Sequence, residues 1–357
     1  MATTVLFIGD PHFQVSNITE VELFIEKIIN LATEKQPTFI VIAGDILHTH
    51  ERLHTIALNK AYELVDNMRK IAPTYVLIGN HDMISNQQFL TNNHWMNAMK
   101  EWNNTKIIDD VLLEHINQQK FIFVPYVPNG RFEEALKTLK QPYLDATCIF
   151  AHQEFAGCKM GAIISVEGDK WSLDNPLVVS GHIHSKQIPQ KNIYYSGSAM
   201  QHAFGESEKN IIPLFTFNNT NNYDIEEIDL QLPRKKIIYM NVDDIDNYTV
   251  PETQDQLKVT VKGDYNEFKA LKKTKKYKEM VENGIKVVFK PKKIDQNKKV
   301  TQDGVEKEIV DGVKSNDTNF NNILSSIVTE QKNPYLMQTY ELVINGKDME
   351  LDDVLFL

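Results

Sequence analysis

Five short apolar runs in the first 184 residues of this chain stop in the same way, each on a histidine, an aspartate or an asparagine. Val5–Ile8 leads into Gly9-Asp10-Pro11-His12, Phe39–Ala43 into Gly44-Asp45, and Tyr75–Ile78 into Gly79-Asn80-His81-Asp82. Cys148–Ala151 runs into His152, and Leu177–Val179 is followed by Gly181-His182-Ile183-His184. A lone Gly-Asp is ordinarily a turn, and a lone His-Xaa-His a solvated strand end. Five such ends in order constrain the fold, because polar groups at the carboxyl ends of strands in a layered α/β protein gather at one edge. Glycine beside most of them lets the backbone turn where the strand stops.

Between these runs the apolar period changes from two to 3.6. Ile18–Thr33 sets Val21, Phe24, Ile25, Ile28 and Ile29 on one helical face, with Thr19 and Glu22 at capping-box spacing. Leu53–Ile71 repeats that layout, and after Ser180 the pattern turns all-β through Ile193–Tyr195, Ile211–Phe217 and Tyr223–Leu230. The expected fold class is α/β, an α+β layered sandwich of sheet and helices.

Charge divides the chain further. The net charge of −10 falls on residues 1–232, with 17 Lys and Arg against 27 Asp and Glu, whereas residues 233–357 carry 21 of each. Within that neutral part, residues 256–299 hold 14 Lys against 5 acids, and residues 300–357 hold 4 Lys against 11 acids. Pro233-Arg234-Lys235-Lys236 marks a boundary, so three regions are expected: a catalytic domain at 1–232, a small basic domain at 233–299 and an acidic tail at 300–357. The basic region reads as strand, helix and strand over Gln256–Val261, Tyr265–Glu282 and Ile285–Phe289. The tail carries an amphipathic helix over Asn319–Gln331. No apolar run approaches the roughly 18 residues of a membrane span. The N-terminus shows no secretory signal, and two cysteines cannot staple 357 residues, so an intracellular, reducing compartment is expected.

All 11 histidines lie between His12 and His202. Asp10, His12, Asp45, Asn80, His152, His182 and His184 make seven ligand-type residues, too many for one ion and too poor in oxygen for calcium. Mixed imidazole and carboxylate suits a pair of divalent ions of the manganese, iron or zinc type. Such a pair clamps the attacking and leaving oxygens of a displacement at phosphorus. Asp45, central in the chain and single at its strand end, is the expected bridge. His50, His54, His94, His115 and His202 are expected at the surface or in the core, and Cys148 and Cys158 as packing residues.

The series Asp-Xaa-His, Gly-Asp, Gly-Asn-His-Asp, His and Gly-His-Xaa-His resembles the calcineurin-like metallophosphoesterase superfamily over about residues 4–200. Gly44-Asp45-Ile46-Leu47-His48, Ser196-Gly197-Ser198 and Phe204-Gly205-Glu206 resemble, more narrowly, the SbcD-type nucleases of double-strand-break repair and the recombination endonuclease subunits of large phages and viruses. The resemblance implies a two-sheet core flanked by helices, with a small α/β capping domain that binds DNA. It implies one ion on Asp10, His12, Asp45 and His184, and a second on Asp45, Asn80, His152 and His182. His81 matches the histidine that protonates the leaving oxygen, Asp82 its orienter, and His48 a histidine that contacts the scissile phosphate. It further implies manganese as the metal, a homodimer and an SbcC-like coiled-coil ATPase partner. The aromatic and Met-rich stretch Gln88–Trp102, read as helical, is the expected dimer surface.

The function expected is a manganese-dependent DNA nuclease. Two alternatives stay open: a small-molecule phosphodiesterase or phosphatase with the same centre, and an architectural tether of DNA ends for the ATPase.

Overall fold

The computed structural model describes residues 2–50, 52–219 and 222–291, together with Val328, Thr329 and Tyr340. Along the chain run β1 (Thr3–Ile8), α1 (Ile18–Lys35), β2 (Phe39–Ile42), α2 (Thr55–Ile71), β3 (Thr74–Leu77), β4 (Thr105–Ile108), β5 (Leu112–Ile116) and β6 (Gln119–Val124). Then come α3 (Phe132–Lys137), β7 (Cys148–His152), β8 (Lys159–Met160), β9 (Ile163–Ile164), β10 (Val178–Gly181), β11 (Gln187–Gln190), β12 (Ile193–Tyr195), β13 (Ile212–Asn219) and β14 (Asn222–Ile228). β15 (Lys235–Asn241), β16 (Gln256–Gly263), α4 (Tyr265–Leu271), α5 (Lys275–Glu282) and β17 (Lys286–Pro291) follow. By contacts the chain divides into two units, Met1–Lys293 and Ile294–Leu357. Apart from Val328 and Thr329, which are helical, the segment Asn319–Gln331 and nearly all of the acidic tail lie outside the described residues.

Two six-stranded sheets form the core, in the orders β14-β13-β1-β2-β3-β4 and β11-β12-β10-β7-β6-β5. In each sheet four strands are parallel, β1 to β4 in one and β12, β10, β7 and β6 in the other. Strands buried on both faces read as unbroken apolar runs, which is why Val5–Ile8 and Phe39–Ile42 show no polar alternation. Their period of two still sorts the faces. Val5, Phe7, Phe39, Val41, Tyr75 and Leu77 meet Phe121, Phe123, Cys148 and Phe150 between the sheets. Leu6, Ile8, Ile40, Ile42, Val76 and Ile78 pack outward on Phe24, Ile28, Leu64 and Met68 of α1 and α2. On the far side Ile122, Ile149 and Val178 pack on Phe132, Phe155 and Trp171. The result is helices, sheet, sheet and a short helix in layers, the mixed α/β sandwich expected.

β15, β16 and β17 form a separate parallel sheet with its own apolar cluster of Leu257, Val259, Val261, Phe268, Leu271 and Met280. The helix expected over Tyr265–Glu282 is two helices, because Thr274 caps α5 by accepting from Tyr277 N. The sheet is docked on the larger core. Gln201 Oε1 accepts from Lys235 N at 2.6 Å, Lys235 and Gln256 both bond Glu20 of α1, and the Lys258 ammonium lies 5.6 Å from the Phe204 ring.

Two local expectations need correction. α1 begins at Ile18, so Thr19 and Glu22 lie inside its first turns and form no capping box. Its N-cap, Asn17, is occupied with Gln14 N and the His12 carbonyl. Gln88–Trp102 is not a helix either. Thr91-Asn92-Asn93 is irregular, as such residues favour, and only Asn97–Glu101 closes a 3₁₀ turn. Met96 and Met99 are fully buried, and Trp95 and Trp102 pack with Tyr62 of α2. Phe89, Leu90, Trp95 and Trp102 of this stretch are half-buried.

Candidate metal centre

The carboxyl ends of β1, β2 and β3 in one sheet and of β7 and β10 in the other meet at a single edge. The turns after them are tight enough to force unusual backbone: Asp10, His12, Asp45 and His182 have φ of 33°, 47°, 48° and 80°. Non-glycine residues seldom adopt this region, and each such residue costs on the order of 1–3 kcal/mol. Glycine makes the approach possible. A Cβ on Gly79 would stand 2.2 Å from Asp45 Oδ1, and one on Gly44, at φ +96°, would stand 2.6 Å from Gly79 N.

All seven ligand-type residues converge there. Asp45 Oδ2 lies 3.6 Å from His12 Nε2 and 3.4 Å from His152 Nε2, so a single carboxylate oxygen faces both halves of the cluster. His12 Nε2 is 3.0 Å from His184 Nε2. Asn80 Oδ1 is 3.1 Å from His152 Nε2 and 2.8 Å from His182 Nδ1. Asp10 Oδ1 accepts from His182 N at 2.9 Å, while its Oδ2 is buried with no partner. His152 Nδ1 donates to the Ala43 carbonyl at 2.7 Å, which orients the ring with Nε2 toward the cluster, where a divalent ion would replace the Nε2 proton. Unpartnered acceptors and converging imidazoles are what a site built for divalent ions offers. His12, Asp45 and His81, and likewise Asp45, His152 and His182, bring donor atoms within 4.8 Å of one another.

Burial dominates the electrostatics. It raises the Asp10 carboxyl to about 6, against the opposing pull of His152 and His184. His182 is lowered to about 3 by burial and then by His152. Burial also works to lower His152, but the Asp45 and Asp10 carboxylates overcome it and lift that imidazole to about 9. Asp45 itself is held well below the usual carboxylate range: burial opposes this, and His152 and His12 outweigh it.

His81 and His48 stand at the rim. His81 N donates to Asp45 Oδ1 at 2.8 Å, and His81 Nδ1 donates to the His48 carbonyl at 2.7 Å, leaving Nε2 free. The His48 ring lies 5.4 Å from that of His12. Asp82 does not orient His81 as expected. Its Oδ2 accepts from Asp45 N (2.7 Å) and Gly79 N (3.0 Å) and its Oδ1 from Trp95 Nε1 (3.1 Å), so it braces the Asp45 turn instead.

Two histidines placed elsewhere by sequence reasoning belong to the cluster. His50 stacks on His81 with ring centres 4.2 Å apart. His202 joins His12 and His184, each with a ring nitrogen within 4.8 Å of the others. One signal pointed to it: His202 follows the end of β12, a sixth strand ending at the same edge. The others stay apart. His94 is a satisfied core residue bonded to Asp109, His54 caps α2, and His115 is exposed on β5. Cys148 and Cys158 are buried free thiols. The cluster opens into a cleft of about 470 Å³ whose walls include Asn80, His81, His182, Glu206 and the β8–β9 hairpin residues Lys159 and Met160. Among the described residues no helix is long and apolar enough to cross a membrane.

Residues 3–186 match the calcineurin-like phosphoesterase family. The protein named "Putative phosphoesterase 078R" of Invertebrate iridescent virus 3 is 50% identical over 294 residues, 81% of this chain and 84% of the relative. "Putative phosphoesterase 244L" of Invertebrate iridescent virus 6 is 51% identical over 277 residues, 76% of this chain and 98% of the relative.

Proposed function

The chain belongs to the calcineurin-like phosphoesterase family and is a metal-dependent hydrolase, and from that premise we propose that its substrate is DNA, cut as a phosphodiester in the manner of the SbcD-type nucleases. Asp10, His12, Asp45 and His184 would hold one divalent ion, and Asp45, Asn80, His152 and His182 the other. When bound, such a pair neutralises charge developing at phosphorus and activates water. Manganese is the metal proposed, since carboxylate and amide oxygens accompany the imidazoles. His81, its Nδ1–H tied to the His48 carbonyl, would give the Nε2 proton of its imidazolium form to the leaving oxygen and be left neutral; burial disfavours that cation and the Asp45 carboxylate favours it. His48 reaches the scissile phosphate from the rim.

The observation that carries DNA as substrate is the small lysine-rich region of strands β15–β17 and helices α4 and α5, docked beside the His202 loop. Lys262, Lys269, Lys272, Lys273, Lys275, Lys278, Lys286 and Lys290 are exposed, and none has a carboxylate within ion-pair distance among the described residues. Unpaired lysines neutralise backbone phosphates without reading sequence. The size of the cleft favours a second reading, hydrolysis of a small phosphodiester. A manganese-dependent assay on linear duplex, single-stranded and circular DNA beside bis(p-nitrophenyl) phosphate separates the two. Cleavage of DNA with a mobility shift is expected; turnover of the small diester alone, with no DNA bound, overturns the nuclease.

The same reading includes a two-fold homodimer and a coiled-coil ATPase partner in double-strand-break repair. The dimer surface proposed includes Leu53 and Ile84, 37% and 58% exposed along one groove near the site. Light scattering is expected to show a dimer that Leu53→Glu with Ile84→Glu dissociates, and a wild-type monomer at micromolar concentration removes the dimer from the proposal.

A further inference from the structure

Resting on the dinuclear reading above, we propose that His202 is an eighth donor to the centre, binding through Nδ1 the ion held by Asp10, His12 and His184. Its Nε2 lies 3.0 Å from the Asp10 carbonyl oxygen. A carbonyl only accepts, so Nε2 carries the hydrogen and the neutral ring keeps its lone pair on Nδ1. That Nδ1 is buried and has no hydrogen-bond partner. A buried acceptor left empty is destabilising, and a cation is the complement to which an imidazole lone pair among other donors can donate.

The ring is built into its place. Glu206 Oε2 accepts from His202 N and Ala203 N, both at 2.9 Å, and Gln201 is pinned to Lys235. The His202 ring stands 4.8 Å from that of His12 and 5.2 Å from that of His184. Glu206 Oε1 also approaches His184 Nδ1 at 3.7 Å, so one carboxylate steadies two histidines of the same half. The first ion is then held by three imidazoles and two carboxylates, the second by two imidazoles, one carboxylate and one amide. The halves are unequal, and the nitrogen-rich half selects transition metals more strongly.

Two measurements on the full chain test this. Pulsed EPR of His182→Ala protein, its second half broken, loaded with one equivalent of Mn²⁺ is expected to count three coordinated imidazole nitrogens, and a count of two overturns the assignment. Calorimetry with Mn²⁺ then compares wild type, His202→Gln and His202→Ala. Glutamine keeps an N–H for the Asp10 carbonyl but has no ring lone pair, so it is expected to weaken one site about 10–100-fold, as alanine does, and to spare the other. A wild-type affinity in His202→Ala, which offers no donor atom, refutes the donor. Wild-type protein that binds no pair of ions defeats the dinuclear reading itself, an outcome distinct from either.

Discussion

The histidine edge and the lysine sheet belong to one compact unit, yet they are made by opposite rules. At the edge, Asp10, His12, Asp45 and His152 are buried, several hold left-handed backbone, and Asp10, Asp45 and His152 bond groups at other strands' ends. On the small region the unpaired lysines stand in solvent, and the apolar cluster beneath involves none of them. Chemistry at phosphorus needs groups fixed and desolvated, which costs stability and depends on many elements at once. Attraction for a polyanion needs only charge at the surface, which any solvated face supplies. Substitutions at the edge should therefore act all or none, and those on the sheet should act in increments.

The sharpest break is at Asp45. Because its Oδ2 faces both halves of the cluster, Asp45→Ala is expected to abolish binding of both ions. Calorimetry that finds one intact high-affinity manganese site in this variant refutes the bridge. Next is His81, which touches the cluster through its backbone N–H but offers a free Nε2. His81→Asn should keep both metals and DNA binding while lowering turnover about 10²–10⁴-fold; a fall in metal content instead makes it a ligand.

A smaller effect belongs to Asp82, which bonds the Asp45 and Gly79 backbone and no candidate ligand side chain. Asp82→Asn is expected to weaken metal binding about 10–100-fold, the usual worth of an outer partner, with the pH dependence of turnover unchanged. A shifted pH profile at wild-type metal affinity would restore Asp82 to His81.

How much of this was legible follows from the same contrast. The five strand ends were readable because a run buried on both faces leaves its polar terminus conspicuous, and α1 and α2 because their apolar faces keep a helical period. β4 and β5 were not, since Lys106 and Glu114 interrupt strands lying at a sheet margin. Gln88–Trp102 misled because apolar residues spaced for a helix can equally seal a core from irregular backbone. His202 was passed over because it stands seven residues beyond its strand, where only the loop's fold, set by Glu206 and Gln201, returns it to the edge.

The smallest effect on the edge, none at all, is expected from the lysine sheet, and this makes it the cleanest divide between the regions. Lys272, Lys273, Lys275 and Lys278 are exposed, whereas Lys276 is mostly covered and paired with Glu279, so the first four are the set to change. Replacing them with Ala should leave metal content and turnover of bis(p-nitrophenyl) phosphate as in wild type. DNA affinity should lose salt dependence, the log–log slope flattening by up to roughly 0.9 for each lysine that neutralises a phosphate. Filter binding over a range of salt concentrations reads this directly. A slope equal to wild type returns the sheet to a solvated surface and removes the observation on which DNA as substrate rests. A flattened slope with impaired turnover of the small diester would instead mean that the two regions are not independent, and that the docking through Gln201 and Glu20 carries strain into the site.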